Sequence, residues 1–311
     1  MSVFLDICIN KVDRKDFKMS SIHNEQKYKP PGILASAGGI FAGSMASGLV
    51  NKPNIIINSK LMDKVHVVNN LNPDEFSRVS KGIDKTLKDT GLSKKGTAIL
   101  KTTKENSDKA LKLIKEEFNK KFSFLPQKIR KPITKFMSDS LYSNIKSGQN
   151  AVYLANFNKI IMPEKNLLLF AFHEMGHAAN YNLSKAGKLL QKSRFLGLLV
   201  LPIALISLFK TKKAPDEKTT GIIDRTTNFI KENAGKLTFL AFVPMLAEEA
   251  LASIKGNGFA KKVLDPSLAK KVSKNNKLTY LTYLTAALCS SIGIALGVKV
   301  KDAIAKPKPV E

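Results

Sequence analysis

The feature that most restricts the fold of this chain is a run of 21 uncharged residues, 278–298, near its C-terminus. Its length matches the roughly 20 residues that an α-helix needs to cross the hydrocarbon core of a bilayer. Within a bilayer, a single segment can satisfy all of its backbone N–H and C=O groups only as a helix. We therefore predict that residues 278–298 form a membrane helix.

A second apolar segment, residues 32–50, is rich in glycine, alanine and serine. Gly39 and Gly43 in this segment have the GxxxG spacing of membrane helices that pack closely on a partner helix. The segment is a candidate membrane helix. Its hydrophobicity is only marginal for insertion, so a glycine-rich soluble loop or a buried hairpin is the alternative.

Two further apolar segments, residues 195–209 and 237–254, predict a helical hairpin that enters the membrane. The first has 15 uncharged residues, which is short for a full span, and Pro202 is expected to kink it. Lys192 and Arg194 precede it and are expected to anchor it among lipid headgroups.

The charge of the chain favours a lipid surface as its partner. The sequence has 51 basic and 25 acidic residues, which gives a net charge of +26. Such an excess suits a protein held against anionic lipid. Nucleic acid is not expected as a partner, because tryptophan is absent and no nucleic-acid-binding motif is present.

The sequence HEMGH, residues 173–177, carries the clearest chemical signal. On a helix, His173 and His177 lie one turn apart and present two imidazoles from one face, as a zinc site requires. Glu174 is too close in sequence to be a comfortable third ligand, but it can take a proton from an attacking water. This is the HExxH pattern of zinc metalloproteases. The alternative is a buried helix with two structural histidines.

The third metal ligand must come from further along the chain, because residues 178–215 contain no acidic residue. Glu248 and Glu249 are adjacent carboxylates inside an apolar helix, where a metal ion would offset their burial. Glu249 is favoured, since Ser253 lies one turn further on as a polar partner, whereas Glu248 faces Ala252. Glu248 stays the alternative ligand. A pair that caps the interfacial end of a membrane helix is the other interpretation.

The remaining sequence predicts several soluble elements. Short β-branched stretches at 54–70 predict one or two strands, and residues 151–162 predict a strand that leads into the HEMGH helix. Helical patterns occur at 73–88, where Asn72 is a plausible cap, and also at 107–121 and 133–145. We expect this order along the chain: a polar tail (1–31), the candidate membrane helix (32–50), a basic soluble accessory region (51–150), a zinc metalloprotease core with its apolar hairpin (151–254), a basic loop (255–277), the membrane helix (278–298) and a tail (299–311).

HEMGH in an apolar helix, the apolar hairpin after it and the returning glutamate in EEALAS resemble the membrane gluzincin metalloproteases of the HtpX and CAAX prenyl protease type. The resemblance covers residues 150–254. It implies an α-rich α+β fold, with a zincin-like catalytic domain and several membrane-embedded helices. It also implies that His173, His177 and Glu249 bind Zn²⁺ and that Glu174 activates water. The chain departs from this family at Ser253, where an aspartate is usual.

These features predict a membrane-associated zinc metalloendopeptidase that hydrolyses peptide bonds in protein or peptide substrates, with a zinc-bound water activated by Glu174 as the nucleophile. The strand at 151–162 would hold the substrate extended. Tyr153 and Tyr181 are candidates for stabilising the oxyanion. A catalytically silent membrane scaffold or lipid-associated protein is the alternative.

The expected topology is that of an integral, multi-pass membrane protein. If all four apolar segments span, residues 51–194 and 255–277 share one side. The second of these ranges has seven lysines and one acidic residue, which favours a cytoplasmic location for the catalytic side. The loop at 210–236 also has seven basic residues, so the charge difference is small.

Overall fold

The computed structural model describes residues 28–309, except 104, 164–166 and 214–220, and these residues are mostly helical. The polar tail predicted at 1–31 lies almost wholly outside the described residues. The helices in chain order are α1 (Ile33–Asn69), α2 (Pro73–Asp89), α3 (Ser107–Lys121), α4 (Gln127–Lys146), α5 (Phe170–Leu183), α6 (Lys185–Ser193), α7 (Val200–Phe209), α8 (Gly221–Glu232), α9 (Ala234–Val263) and α10 (Pro266–Ile304). The strands are β1 (Tyr28–Lys29), β2 (Ala98–Thr102), β3 (Val152–Leu154), β4 (Lys159–Pro163) and β5 (Lys308–Pro309), and Ser93–Lys95 and Arg194–Leu199 form 3₁₀ turns.

Among the described residues, four helical segments are long and apolar enough to cross a membrane, namely α1, the segment Lys185–Phe209, α9 and α10. In length and apolar composition, these segments fit the expected multi-pass membrane protein. Pro202 does not kink a helix interior. The chain is 3₁₀ up to Leu199 and α-helical from Val200, so Pro202 lies in the first turn, where its missing N–H costs little.

Helices α1 and α10 pack against each other in antiparallel orientation. A Cβ atom on Gly43 would lie 2.5 Å from the carbonyl oxygen of Gly297, so only glycine permits this approach. At the other end of the pair, Asn69 Nδ2 donates to Asn275 Oδ1 at 2.7 Å. The close packing predicted from the GxxxG spacing is confirmed.

The prediction of strands at 54–70 is wrong, because α1 continues without interruption to Asn69. The isoleucines of this stretch, Ile55, Ile56 and Ile57, are exposed on the helix surface. Their local preference for a strand is outweighed by the packing of α1 along α10. The predicted accessory region, 51–150, therefore begins with the end of a long helix.

The prediction of a basic loop at 255–277 is also wrong. Helix α9 runs to Val263 and α10 begins at Pro266, so only two residues separate them. The Asp265 side chain caps α10 by accepting from the backbone N–H of Ser267 and of Leu268 at 3.0 and 3.1 Å. The lysines of this range lie on helix surfaces and not in a loop.

The tail predicted at 299–311 is partly ordered in regular structure. Helix α10 continues to Ile304, and β5 then pairs with β1 in antiparallel register. The two ends of the described chain therefore lie side by side.

The other predicted helices are present. Asn72 caps α2 in a reciprocal capping box, in which its side chain accepts from the backbone N–H of Glu75 at 2.9 Å. Helix α3 has the predicted bounds. Helix α4 begins at Gln127 instead of 133, because the helix continues through Pro132.

A three-stranded sheet in the order β2-β4-β3 supports the HEMGH helix. Residues 151–162 form the hairpin β3–β4 and not one strand, with Asn158 at φ 54° in the turn. On β4, Ile160 and Met162 belong to the core that contains α5, whereas Ile161 packs with residues of α3 and α4. The sheet thus lies between two helical layers, as expected from the period of two along a strand.

Candidate metal centre

The site is built where α5 crosses α9 at very short distance. A Cβ atom on Gly176 would lie 2.1 Å from the carbonyl oxygen of Ala252, and one on Gly256 would lie 2.5 Å from that of Phe172. Both glycines are therefore required for this approach of the two backbones. The crossing brings the HEMGH motif against the two glutamates of α9.

Three donor atoms from these helices converge. His173 Nε2 lies 3.0 Å from His177 Nε2, and Glu249 Oε2 lies 3.1 Å from the first nitrogen and 3.4 Å from the second. The three residues are 1%, 4% and 0% exposed, so the donors are shielded from bulk water. This cluster could hold a metal ion.

The geometry and chemistry of the cluster suit zinc. Ligand atoms of a tetrahedral zinc ion, at about 2.1 Å from the metal, lie roughly 3.4 Å from one another. The three observed separations, 3.0, 3.1 and 3.4 Å, are close to that value. Two imidazole nitrogens and one carboxylate oxygen would leave a fourth position open, as in catalytic zinc sites.

Further polar side chains orient the two histidines. His177 Nδ1 lies 2.8 Å from Glu248 Oε1, and Asn180 Nδ2 donates to the same oxygen at 3.0 Å. Ser253 Oγ lies 3.3 Å from His173 Nδ1. In the tautomers that leave both Nε2 atoms free, each Nδ1–H faces one of these oxygens, as is usual around metal-binding histidines. Ser253 thus contacts a histidine and not Glu249, which is the residue that it was expected to support.

Arg194 completes the cluster. Its Nη1 donates to Glu248 Oε2 at 2.9 Å, and its Nη2 donates to Glu249 Oε1 at 2.7 Å. The prediction that Arg194 anchors the chain among lipid headgroups is therefore wrong. The planar guanidinium spans two carboxylates, which a lysine could not do with the same geometry. Sequence reasoning missed this role, although two adjacent buried carboxylates indicate a need for more than one positive partner.

Glu174 lies beside the three donors and is 5% exposed. Burial raises the pKa of its carboxyl group, although His177 and His173 oppose that rise. The nearby backbone N–H of Tyr153 also opposes the rise of this pKa. Burial also disfavours the charged form of His177, but the carboxylates of Glu248 and Glu249 outweigh this effect and raise the pKa of the imidazole.

The two tyrosines considered for the oxyanion differ in their surroundings. The Tyr153 hydroxyl donates to Asn158 Oδ1 at 2.6 Å and accepts from Asn182 Nδ2 at 3.0 Å, so it is already engaged. Tyr181 packs edge-on against the ring of Tyr153. A third tyrosine, Tyr283 of α10, is near enough to interact electrostatically with Glu249 and Arg194. No sequence signal distinguishes it, because it lies in the long apolar run.

Comparisons of the chain with protein-family models, with curated proteins and with solved structures find no match. The function of this site must therefore be inferred from its residues and their geometry. What these define is a buried cluster of two histidines and a glutamate, held between a helix on a small sheet and a helix long enough to cross a membrane.

Proposed function

We propose that the chain is a membrane zinc metallopeptidase with a zincin-like catalytic domain, of the gluzincin kind that HEMGH and EEALAS resemble. The observation that carries the proposal is the convergence of His173 Nε2, His177 Nε2 and Glu249 Oε2 beside the carboxyl group of Glu174. Imidazole and carboxylate donors in this number favour zinc over magnesium or calcium, which take oxygen ligands.

Four side chains have a defined task in this proposal. His173, His177 and Glu249 would hold the ion, which when bound would polarise the scissile carbonyl and lower the pKa of water. Glu174 accepts the proton of the attacking water and passes it to the leaving amine nitrogen. Its raised pKa suits both steps, because a carboxylate of ordinary pKa is a weak base at neutral pH.

The sheet offers a place for an extended substrate. Strand β3 lies at the edge of the sheet, and the backbone of its residue Tyr153 lies close to Glu174. A peptide added along this edge would pass directly beside the site. Because the site side chains are buried, the peptide needs an opening, and the segment that carries Arg194 is the element that we expect to move.

The first experiment measures zinc and proteolysis in the detergent-purified full chain. We expect one zinc per chain and cleavage of an unfolded protein such as casein. Glu174→Gln should keep the zinc and lower the cleavage rate by about 10²-fold or more, since general-base catalysis is lost. Glu116→Gln on α3, which removes the same charge away from the site, is the matched control. Cleavage by Glu174→Gln at the wild-type rate would exclude the role of Glu174 as the base.

A silent membrane scaffold is the second candidate, and the ion pairs of Arg194 favour it. The guanidinium already offsets part of the charge of Glu248 and Glu249, so the cluster has a structural use without a metal. The scaffold predicts no stoichiometric zinc in the folded protein, and no change of metal content in His173→Ala. Finding no zinc in a folded sample would reject the peptidase.

A further inference from the structure

A second charged region lies between α7, α8, α9 and α10, away from the metal centre. A cavity of about 630 Å³ opens there. Its charged lining, among the residues that the structure describes, consists of four lysines and two acids: Lys212, Lys213, Lys231, Lys299, Glu232 and Asp302. Lys213 pairs with Asp224, which is outside this lining, and the other three lysines still outnumber the two acids of the described lining.

This cavity is far from the proposed zinc site. Ala234, at the start of α9, lines the cavity, whereas Glu249 lies 15 residues further along the same helix. At 1.5 Å per residue these positions are about 22 Å apart along the axis. If α9 crosses the bilayer, whose hydrocarbon core is about 30 Å thick, the two sites would lie towards opposite faces of the membrane.

Asp302, in the lining of the cavity, pairs with two buried lysines, of which Lys231 lines the cavity and Lys301 lies behind it. Lys231 Nζ and Lys301 Nζ each lie 2.9 Å from a different oxygen of Asp302. The two lysine side chains are only 8% and 3% exposed, so one carboxylate balances the charge of two buried ammonium groups, and Lys301 Nζ also donates to the backbone carbonyls of Ser207 and Lys210. Burial lowers the pKa of Lys231, and the nearby ammonium of Lys301 lowers it further. A bound anion would offset this excess of positive charge, because buried charge that is not fully balanced is costly.

The surface near the cavity is apolar. On α8, Ile222, Ile223 and Phe229 are 83%, 82% and 57% exposed, and Phe209 at the end of α7 is 63% exposed. Exposed apolar side chains beside lysines are the pattern of a helix that lies in the membrane interface. The cavity thus combines cationic groups for a headgroup with nearby apolar surface for acyl chains.

We propose that this cavity binds the phosphate headgroup of an anionic phospholipid, and that the lipid's acyl chains lie along the exposed apolar residues of α7 and α8. Basic pockets between membrane helices recognise such headgroups through several lysines at once. A zwitterionic lipid binds less well, since its own cation meets the lysines. This site is independent of the proposed peptidase activity.

The test is native mass spectrometry of the full chain with phosphatidylglycerol or phosphatidylcholine. We expect at least tenfold stronger retention of phosphatidylglycerol by the wild type. Lys212→Gln/Lys299→Gln removes two exposed charges from the cavity and leaves the pairs of Asp302 intact. This double variant should lose about tenfold in phosphatidylglycerol binding or more. The matched control, Lys94→Gln/Lys95→Gln, changes the net charge equally in an exposed turn and should bind like the wild type.

Two results would overturn the proposal. One is equal binding of phosphatidylglycerol by the wild type and by Lys212→Gln/Lys299→Gln, with both proteins folded by thermal melting. The other is stabilisation of the wild type by inorganic phosphate as strong as that by phosphatidylglycerol, with no preference over phosphatidylcholine. The second result would assign the cavity to free phosphate instead of a lipid.

Discussion

Two identical neighbours, Glu248 and Glu249, have different surroundings because successive residues of a helix point about 100° apart. Glu249 turns one oxygen towards the Nε2 atoms of both histidines. Glu248 turns one oxygen towards His177 Nδ1, on the far side of that ring. Arg194 binds the second oxygen of each glutamate and so restricts both carboxylates. We infer that Glu249 would be the ligand of a bound metal ion and that Glu248 would position the ligand His177.

This difference predicts unequal effects of two matched substitutions. Glu249→Gln should lose stoichiometric zinc, because a neutral amide replaces a charged donor. Glu248→Gln should still bind zinc, but about 10–100-fold more weakly, as is usual when the outer partner of a ligating histidine is removed. Elemental analysis and competition with a chelator measure both effects. Full zinc content in Glu249→Gln together with its loss in Glu248→Gln would reverse the two roles.

At the scale of elements, the site depends on how closely α5 and α9 approach. The two histidines lie on α5, which packs on the sheet. The two glutamates lie on α9, which is long and apolar enough to cross a membrane. Asn69 strengthens this frame, because its side chain bonds Asn275 of α10 and also accepts from the backbone N–H of Leu169 at 3.2 Å. The two candidate membrane helices α1 and α10 and the HEMGH helix α5 therefore form one packed unit.

Two glycines of α9 allow a test of the crossing. Gly256→Ala should lower the free energy of unfolding by about 1–3 kcal/mol, because the new methyl group meets the backbone of Phe172. Zinc content should fall as well, since α5 and α9 must separate. Gly258→Ala is the control, because a Cβ there meets nothing within 4 Å. The control should be neutral or stabilising by up to about 1 kcal/mol. Thermal melting in detergent and elemental analysis give both readouts, and equal behaviour of the two variants would contradict the close crossing.

Local signals in the sequence predicted elements well where short-range chemistry decides them. The cap at Asn72 and the helical spacing at 107–121 are examples. The predictions of strands at 54–70 and of a loop at 255–277 were wrong. Isoleucines are also typical of strands and lysines of loops, so these residues on the surface of a long helix misled the interpretation. The convergence of Glu249 with His173 and His177 was predicted from two buried acids in an apolar run. Arg194 was not, because its contact with those acids depends on the path of the chain between α5 and α9.

At the scale of the whole molecule, the contacts at the helix ends divide the chain into two sides. The turn between α9 and α10 contacts α2, where Arg78 Nη1 donates to Asp265 Oδ2 at 2.9 Å. The opposite ends of α1 and α10 carry the paired strands β1 and β5. The sheet and the metal centre thus lie towards the first side, and the lysine-lined cavity lies near the second.

If all four apolar segments cross the bilayer, residues on these two sides must differ in their access to a reagent that cannot pass through it. We expect Ser93→Cys, in the exposed turn before β2, and Thr211→Cys, after α7, to react from opposite sides of sealed vesicles. Both variants are made in a Cys8→Ser/Cys289→Ser background, so that each protein carries a single thiol. A membrane-impermeant maleimide should label one variant in intact vesicles and the other only after permeabilisation. Labelling of both from the same side would contradict four spans, because an odd number of crossings separates Ser93 from Thr211 in that arrangement.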